Sequence, residues 1–218
     1  MIVLAMDTAG VDCSVALYDT DEDRVLASRS ERLGKGHAER LMGLLDEVLE
    51  AGQLTLQSVG RIAVTAGPGS FTGIRTGVAT ARGLSLALGV PAVGVCTLDI
   101  LAMAYRETHP GEGVVAAIDA KRGEIYAQAF DGAGNPLSEP QALDVDAVRK
   151  LAATHGLAVT GSAAPLVAGA ELAGEPDHFS AGLAARLAHG VSIVEKPKPL
   201  YLRSPDAKPQ TGFALTRT

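Results

Sequence analysis

Met1-Ile2-Val3-Leu4-Ala5-Met6-Asp7-Thr8-Ala9-Gly10-Val11-Asp12-Cys13-Ser14-Val15-Ala16-Leu17-Tyr18 is the stretch whose reading decides the fold. Residues 2–6 are apolar without interruption, the pattern of a strand covered on both faces. Asp7 to Asp12 is rich in turn formers, residues 13–18 read as a returning strand, and Arg24 to Ser30 as a third. A strand meander therefore comes before any helix. The opening lacks a basic n-region and meets an acid at Asp7, so it reads as a first core strand and not as a signal peptide.

Beyond the meander the period changes. Residues 37–51 carry apolar side chains at 38, 41, 44, 45, 48 and 49, which is helical spacing. Glu39, Asp46, Glu47 and Glu50 lie on the other side, and Gly52 is a natural stop. A strand over 61–66 runs into Gly67-Pro68-Gly69-Ser70, followed by a helix from about 71 to 88, a short strand at 91–95 and a helix over 97–107. His109-Pro110-Gly111-Glu112-Gly113 breaks both periods and is the linker candidate. The theme then restarts with an apolar strand at 114–119 and its hairpin mate at 124–130. Helical patterns near 144–154 and 180–189 flank a strand at 157–160, and from Lys196 an extended tail is expected. The expectation is an α/β chain of two lobes, residues 1–108 and a smaller 109–218 that includes the tail. The repeat is architectural, since no sequence period relates the halves. Two such lobes resemble the arrangement of actin, Hsp70 and the sugar kinases, and a fold by itself fixes no function.

Composition narrows the classes. The chain has 218 residues, 47% hydrophobic and 20% charged, enough for one sizeable core or two small ones. It contains no long uncharged apolar run, so no membrane span is expected and the expected location is the cytoplasm. Cys13 and Cys96 have no partner at metal-binding or CxxC spacing and read as buried free thiols. Net charge is −6 and no run of Lys or Arg exceeds two, as at Lys121-Arg122. A protein that grips RNA alone replaces counterions along the phosphates with its own cations, so any nucleic-acid role is expected to be indirect.

The sharpest local feature is Gly67-Pro68-Gly69-Ser70-Phe71-Thr72-Gly73-Ile74-Arg75, a strand-to-helix turn. A phosphate cradle is one reading, because backbone N–H groups and the helix dipole converge there. Against it, Thr72 stands where the dinucleotide fingerprint has Gly, and the Gly-Lys pair of the P-loop is missing. The plainer reading is a turn capped by Ser70 or Thr72. Gly73, Gly77 and Ala81 recur every four residues, so one side of the following helix is nearly bare. Glycine inside a helix costs about 0.5–1 kcal/mol relative to Ala, which suggests that another backbone comes close, from inside the lobe or from a second subunit. Arg75 and Arg82 share a different face, solvated or facing a partner acid. Asp7-Thr8 sits where actin-like ATPases place a phosphate or metal contact, and an Asx-type turn explains it as well. Asp7, Thr8, Gly69 and Ser70 are thus the only cofactor-binding candidates. The five histidines show no HxxH or HxxxH pairing, His37 reads as an exposed helix-start residue, and GxSxG is absent.

Asp7-Thr8, the Gly67–Arg75 stretch, Ala117-Ile118-Asp119-Ala120-Lys121-Arg122-Gly123-Glu124-Ile125-Tyr126 and Tyr201-Leu202-Arg203 together resemble the TsaB (YeaZ) family, in order over nearly the whole chain. Gly43 departs from it, where many relatives carry a proline. The resemblance implies a two-lobed actin-like (ASKHA, ribonuclease-H-like) fold. It also implies a non-catalytic subunit that pairs with the related transferase TsaD and works with the ATPase TsaE. Such a complex forms threonylcarbamoyladenosine beside the tRNA anticodon. TsaD-like chains carry a metal-binding HxxxH pair after their short VPA strand, whereas the matching positions here are Thr97 and Leu101, neither able to supply an imidazole. No metal or cofactor of its own is implied, with ATP and metal on the partner subunits.

The resemblance places the TsaD contact on the first-lobe helices. The expected partner-binding set is Leu41, Leu45, Val48, Gly73, Ile74, Gly77, Val78, Ala81 and Arg82, a small-residue face beside an aliphatic ridge. The same surface is expected to form a homodimer when the chain is alone. An actin-like ATP-dependent small-molecule kinase is the alternative, and a metalloprotease-like hydrolase ranks lower still.

Overall fold

The apolar run at the start becomes β1 (Ile2–Asp7), whose Val3, Leu4, Ala5 and Met6 are all fully buried, so both faces of the strand are covered. The structure, a computed structural model, describes residues 1–192 and 195–203. β2 (Asp12–Asp19) and β3 (Arg24–Arg32) complete the antiparallel meander. β4 (Val59–Gly67) then joins β1 in parallel, and β5 (Ala92–Cys96) joins β4 in parallel. Parallel neighbours require crossovers. These are α1 (His37–Ala51) between β3 and β4, and α2 (Phe71–Leu88) between β4 and β5. The sheet order is β3-β2-β1-β4-β5. α1 and α2 touch each other while covering β2, β3 and β4.

α3 (Thr97–Thr108) leads to the second sheet, order β8-β7-β6-β9. Here β6 (Val114–Asp119) pairs antiparallel with β7 (Ile125–Phe130) and parallel with β9 (Ala158–Thr160), while β8 (Gln141–Leu143) edges β7. This repeats the β3-β2-β1-β4 order of the first sheet. α4 (Val145–His155) packs on β6 and β7, and α5 (Ala164–Val167) is a single turn against α4.

β6 shows how the two lobes share a core. Val114, Ala116 and Ile118 join the first-lobe cluster, whereas Val115 and Ala117 join a smaller cluster with Val148 of α4. Successive strand residues point to opposite faces, so one strand seals two cores.

Several features differ from the sequence reading. β8, α5 and a 3₁₀ turn at Leu56–Ser58 were not expected, being too short to carry a period. α6 (Ala181–Gly190), although late in the chain, packs on β1 and β2 of the first sheet and against α3. Its buried Ala181, Ala184, Ala185 and Ala188 form a flat face that lets the helix lie close to the sheet. The first lobe is therefore completed from beyond residue 109. The tail up to Arg203 runs back to β4, where the Leu200 N–H donates to the Ala66 carbonyl at 2.7 Å. The rest of the expected tail, residues 204–218, lies outside the described residues.

Candidate functional site

Asp7 ends β1 fully buried. Its Oδ1 accepts from the Thr65 hydroxyl at 2.6 Å and from the Ala9 N–H at 3.0 Å, which makes an Asx-type turn. Burial pushes its carboxyl up to about 7, against the pull of those hydrogen bonds. Thr8, also buried, donates its hydroxyl to the Gly73 carbonyl at 2.7 Å. The Ser70 N–H donates to the Ala9 carbonyl at 2.8 Å, and Ser70 Oγ caps α2 by accepting from the Gly73 N–H at 3.2 Å. The strand-to-helix turn is thus wrapped around the β1–β2 turn. The amides of Ser70 and Gly73 are engaged within the chain and not turned toward an anion.

This packing accounts for the glycines. A Cβ at Gly69 would stand 2.5 Å from the Ala9 carbonyl oxygen, one at Gly73 would overlap the Thr8 carbonyl oxygen, and one at Gly77 would stand 2.5 Å from Thr8 Oγ1. The backbone that approaches the bare stripe is the chain's own. Leu41, Leu45, Val48, Ile74, Val78 and Ala81 are likewise buried in the first core. The expected partner-binding face is therefore corrected: Gly73, Gly77 and the aliphatic ridge look inward, and a docking subunit cannot reach them. Arg82 is exposed, but its Nε donates to the Pro197 carbonyl at 2.8 Å, and Arg75 Nε donates to the Tyr201 hydroxyl at 2.8 Å. His37 is buried, not exposed, with Nε2 3.0 Å from the Asp12 carbonyl oxygen.

The outward faces of the same helices expose large apolar side chains that the sequence reading did not name. Met42 on α1 is 45% exposed and Leu86 on α2 is 83% exposed. Ala79 and Gly83 are exposed beside Leu86, and Glu39, Asp46 and Glu50 are exposed on α1. α1 itself is anchored by Arg40, which donates to Glu31 at 2.8 and 2.6 Å and to Glu47 at 2.5 Å.

A cleft of about 780 Å³ separates the lobes. Gly10, Gly69, Ser70, Phe71 and Arg75 line it from the first lobe, and Asp119, Lys121, Tyr126, Ser162 and Asp177 from the second. Leu200 to Arg203 close one side. Asp119 ends β6 as Asp7 ends β1, and its N–H donates to Ser162 Oγ at 2.9 Å. The Ser162 N–H donates to Asp177 Oδ1 at 2.8 Å, and burial raises the Asp177 carboxyl above its ordinary value. Lys121 Nζ lies 2.6 Å from Asp119 Oδ2, and Arg203 pairs with Glu124. The charges at the rim are largely matched within the chain.

Thr97 and Leu101 sit at the start of α3. Thr97 is fully buried and donates its hydroxyl to the Pro68 carbonyl at 2.6 Å, and Leu101 packs against the first core. A threonine spent on a backbone carbonyl and an aliphatic side chain do not fit the metal pair of TsaD-like chains. Among the described residues, no three or more His, Cys, Asp or Glu side chains gather as a metal site. No helix among them is long and apolar enough to cross a membrane.

Two sheets of matching strand order, joined through a shared core and facing each other across a cleft, define a two-lobed actin-like (ASKHA, ribonuclease-H-like) protein. A family model described as "TsaD: tRNA N6-adenosine threonylcarbamoyltransferase" matches residues 28–189. The TsaB protein of Haemophilus influenzae is 38% identical over 126 residues, 58% of this chain and 52% of that protein. Escherichia coli TsaB is 36% identical over 126 residues, covering 58% and 53%. The match thus spans about half the length of these relatives. An uncharacterized protein of Mycobacterium tuberculosis H37Rv is 35% identical over 95% of this chain and 94% of its own. Among solved structures, YeaZ from Pseudomonas aeruginosa aligns with TM-score 0.60 and 34% identity over 66% of this chain and 68% of that one. Another, described as an uncharacterized protein with similarity to peptidase YEAZ from the same organism, reaches TM-score 0.74 at 28% identity over 93% and 99%. The chain belongs to the TsaB (YeaZ) family.

Proposed function

We propose that this chain is a non-catalytic subunit of the machinery that forms threonylcarbamoyladenosine in tRNA, holding a TsaD-like catalytic subunit and working with a TsaE-like ATPase. The observation that carries this reading is the fate of Thr97 in a member of this family. The position where TsaD-like chains present a metal ligand is occupied by a buried hydroxyl committed to the Pro68 carbonyl. ATP and metal then belong to the partner subunits, and tRNA is reached through them.

The docking face in this reading is the outward side of α1 and α2, with Met42, Ala79, Gly83 and Leu86 at its centre and the acids of α1 at its edge. Small residues let a partner helix approach, and a large exposed side chain such as Leu86 adds apolar area to bury on binding. When the catalytic subunit is absent, a second copy of the chain covers the same face. The expected location is the cytoplasm, where tRNA is modified.

The test is reconstitution. A TsaD-like subunit, a TsaE-like ATPase, a threonylcarbamoyl donor and tRNA are combined with and without this chain, and modified adenosine is measured by mass spectrometry. Product is expected only when all proteins are present. Product from this chain and tRNA without the TsaD-like subunit would overturn the reading, as would an unchanged yield when the chain is omitted.

A further inference from the structure

We propose that residues 197–203 form a strap that fixes the opening between the two lobes, doing with the chain's own backbone what a bound ligand does in two-lobed proteins that close around a substrate. On the first lobe the strap is held by the Leu200 N–H on the Ala66 carbonyl at 2.7 Å, by Arg82 Nε on the Pro197 carbonyl at 2.8 Å and by Arg75 Nε on the Tyr201 hydroxyl at 2.8 Å. The Tyr201 ring also packs against that of Phe71, 5.2 Å between centroids. The sheet beneath is thinned to receive it. Gly67 has φ 106°, and a Cβ there would stand 2.9 Å from the Leu200 carbonyl oxygen.

The other end of the strap belongs to the second lobe. Arg203 pairs with the Glu124 carboxylate and donates from one guanidinium nitrogen to the carbonyls of Ala120 at 3.2 Å and Lys121 at 3.1 Å. These groups form the tip of the β6–β7 hairpin, where Lys121 and Arg122 adopt φ of 63° and 59°. Two consecutive side-chain-bearing residues in the left-handed region are held against a local steric cost. A guanidinium fork that gathers the hairpin carbonyls and its carboxylate at once is suited to hold that shape. Away from the tail the lobes are joined through α3, which packs on both sheets, through the core shared along β6, and through the segment at 177–179, where Asp177 accepts from Ser162 of the second lobe while His178 and Phe179 meet Asp12 and Ser14 of the first. The strap adds a separate attachment at the cleft, where Leu200, Tyr201, Leu202 and Arg203 all line the space. Each further attachment across the cleft narrows the range of angles that the lobes can adopt.

The experiment places spin labels at Glu50→Cys and Lys150→Cys, exposed positions on α1 and α4, in the full chain carrying Cys13→Ala and Cys96→Ala. Pulsed electron paramagnetic resonance then reads the distance between the lobes. The strapped protein is expected to give one narrow distribution. Arg203→Ala, and separately Glu124→Gln, are expected to add a longer-distance population while far-ultraviolet circular dichroism stays unchanged. If Arg203→Ala fails to fold, the half-buried Glu124→Gln decides. A longer-distance population in either folded variant supports the strap. Distributions identical to the parent in every folded variant overturn it and assign the lobe angle to α3 and the shared core.

Discussion

The hydroxyl of Thr8 donates to the carbonyl of Gly73 across 2.7 Å, which locks the β1–β2 turn into the first turns of α2. The contact exists only because residue 73 has no side chain, since a Cβ there would overlap the Thr8 carbonyl oxygen. The placement of Gly73 and Gly77 is a requirement of the core and not of a docking surface.

Gly73→Ala is therefore expected to lower stability by roughly 2–3 kcal/mol, the usual cost of forcing atoms into a filled core. Gly83→Ala on the outward face has nothing within 4 Å of the added Cβ, and it is expected to gain about 0.5–1 kcal/mol as an ordinary helix-interior replacement. Urea denaturation of both variants checks this. Equal losses, or a harmless change at 73, would contradict the packing described.

The buried carboxyl of Asp7 makes a pH prediction. Burial lifts it from 3.8 to about 7 in the folded protein, so folding takes up a proton between those values. Stability contributed by this group is full below about pH 4, falls as pH rises toward 7 and is level above. Asp7→Asn retains an oxygen to accept from Thr65 and Ala9 but removes the titration. Because Asp99 and Asp177 are also raised by burial, the measured quantity is the difference between parent and variant. Moving from pH 4.5 to pH 8, the parent is expected to lose more stability than Asp7→Asn, by on the order of 1–4 kcal/mol. Equal slopes would show that Asp7 titrates as if exposed.

Contact with tRNA is expected to be weak for the chain alone. With a net charge of −6, few phosphate counterions are displaced, and the Kd at physiological salt is expected to be no tighter than about 1 μM. A fluorescence anisotropy titration measures it, and submicromolar binding would contradict the indirect role.

The meander, the two crossovers of the first sheet and the restart at Val114 were legible because each follows a plain hydrophobic period. The direction of the Gly73–Gly77–Ala81 stripe was not. Small residues at four-residue spacing look the same whether the approaching backbone is Thr8 of the same chain or a helix of another, and only the folded position of the β1–β2 turn decides. His37 was misplaced for a related reason: its ring satisfies the Asp12 carbonyl, a partner 25 residues away in sequence. The alanines of α6 announced a helix but not which sheet it would cover. Tyr201 and Arg203 were visible as residues, yet their role in joining the lobes depends on contacts with Arg75 and Glu124 that no local pattern encodes.

The claim at the centre of this account is that the outward face of α1 and α2 holds the catalytic subunit. Isothermal titration calorimetry of the TsaD-like subunit against the parent chain and against Leu86→Glu tests it most directly. Leu86 is 83% exposed, so the variant is expected to fold with stability within about 0.5 kcal/mol of the parent. Burying the new carboxylate in an apolar contact should nonetheless weaken binding by at least about tenfold. Unchanged affinity for a folded Leu86→Glu protein would contradict the claim and move the docking site off these helices.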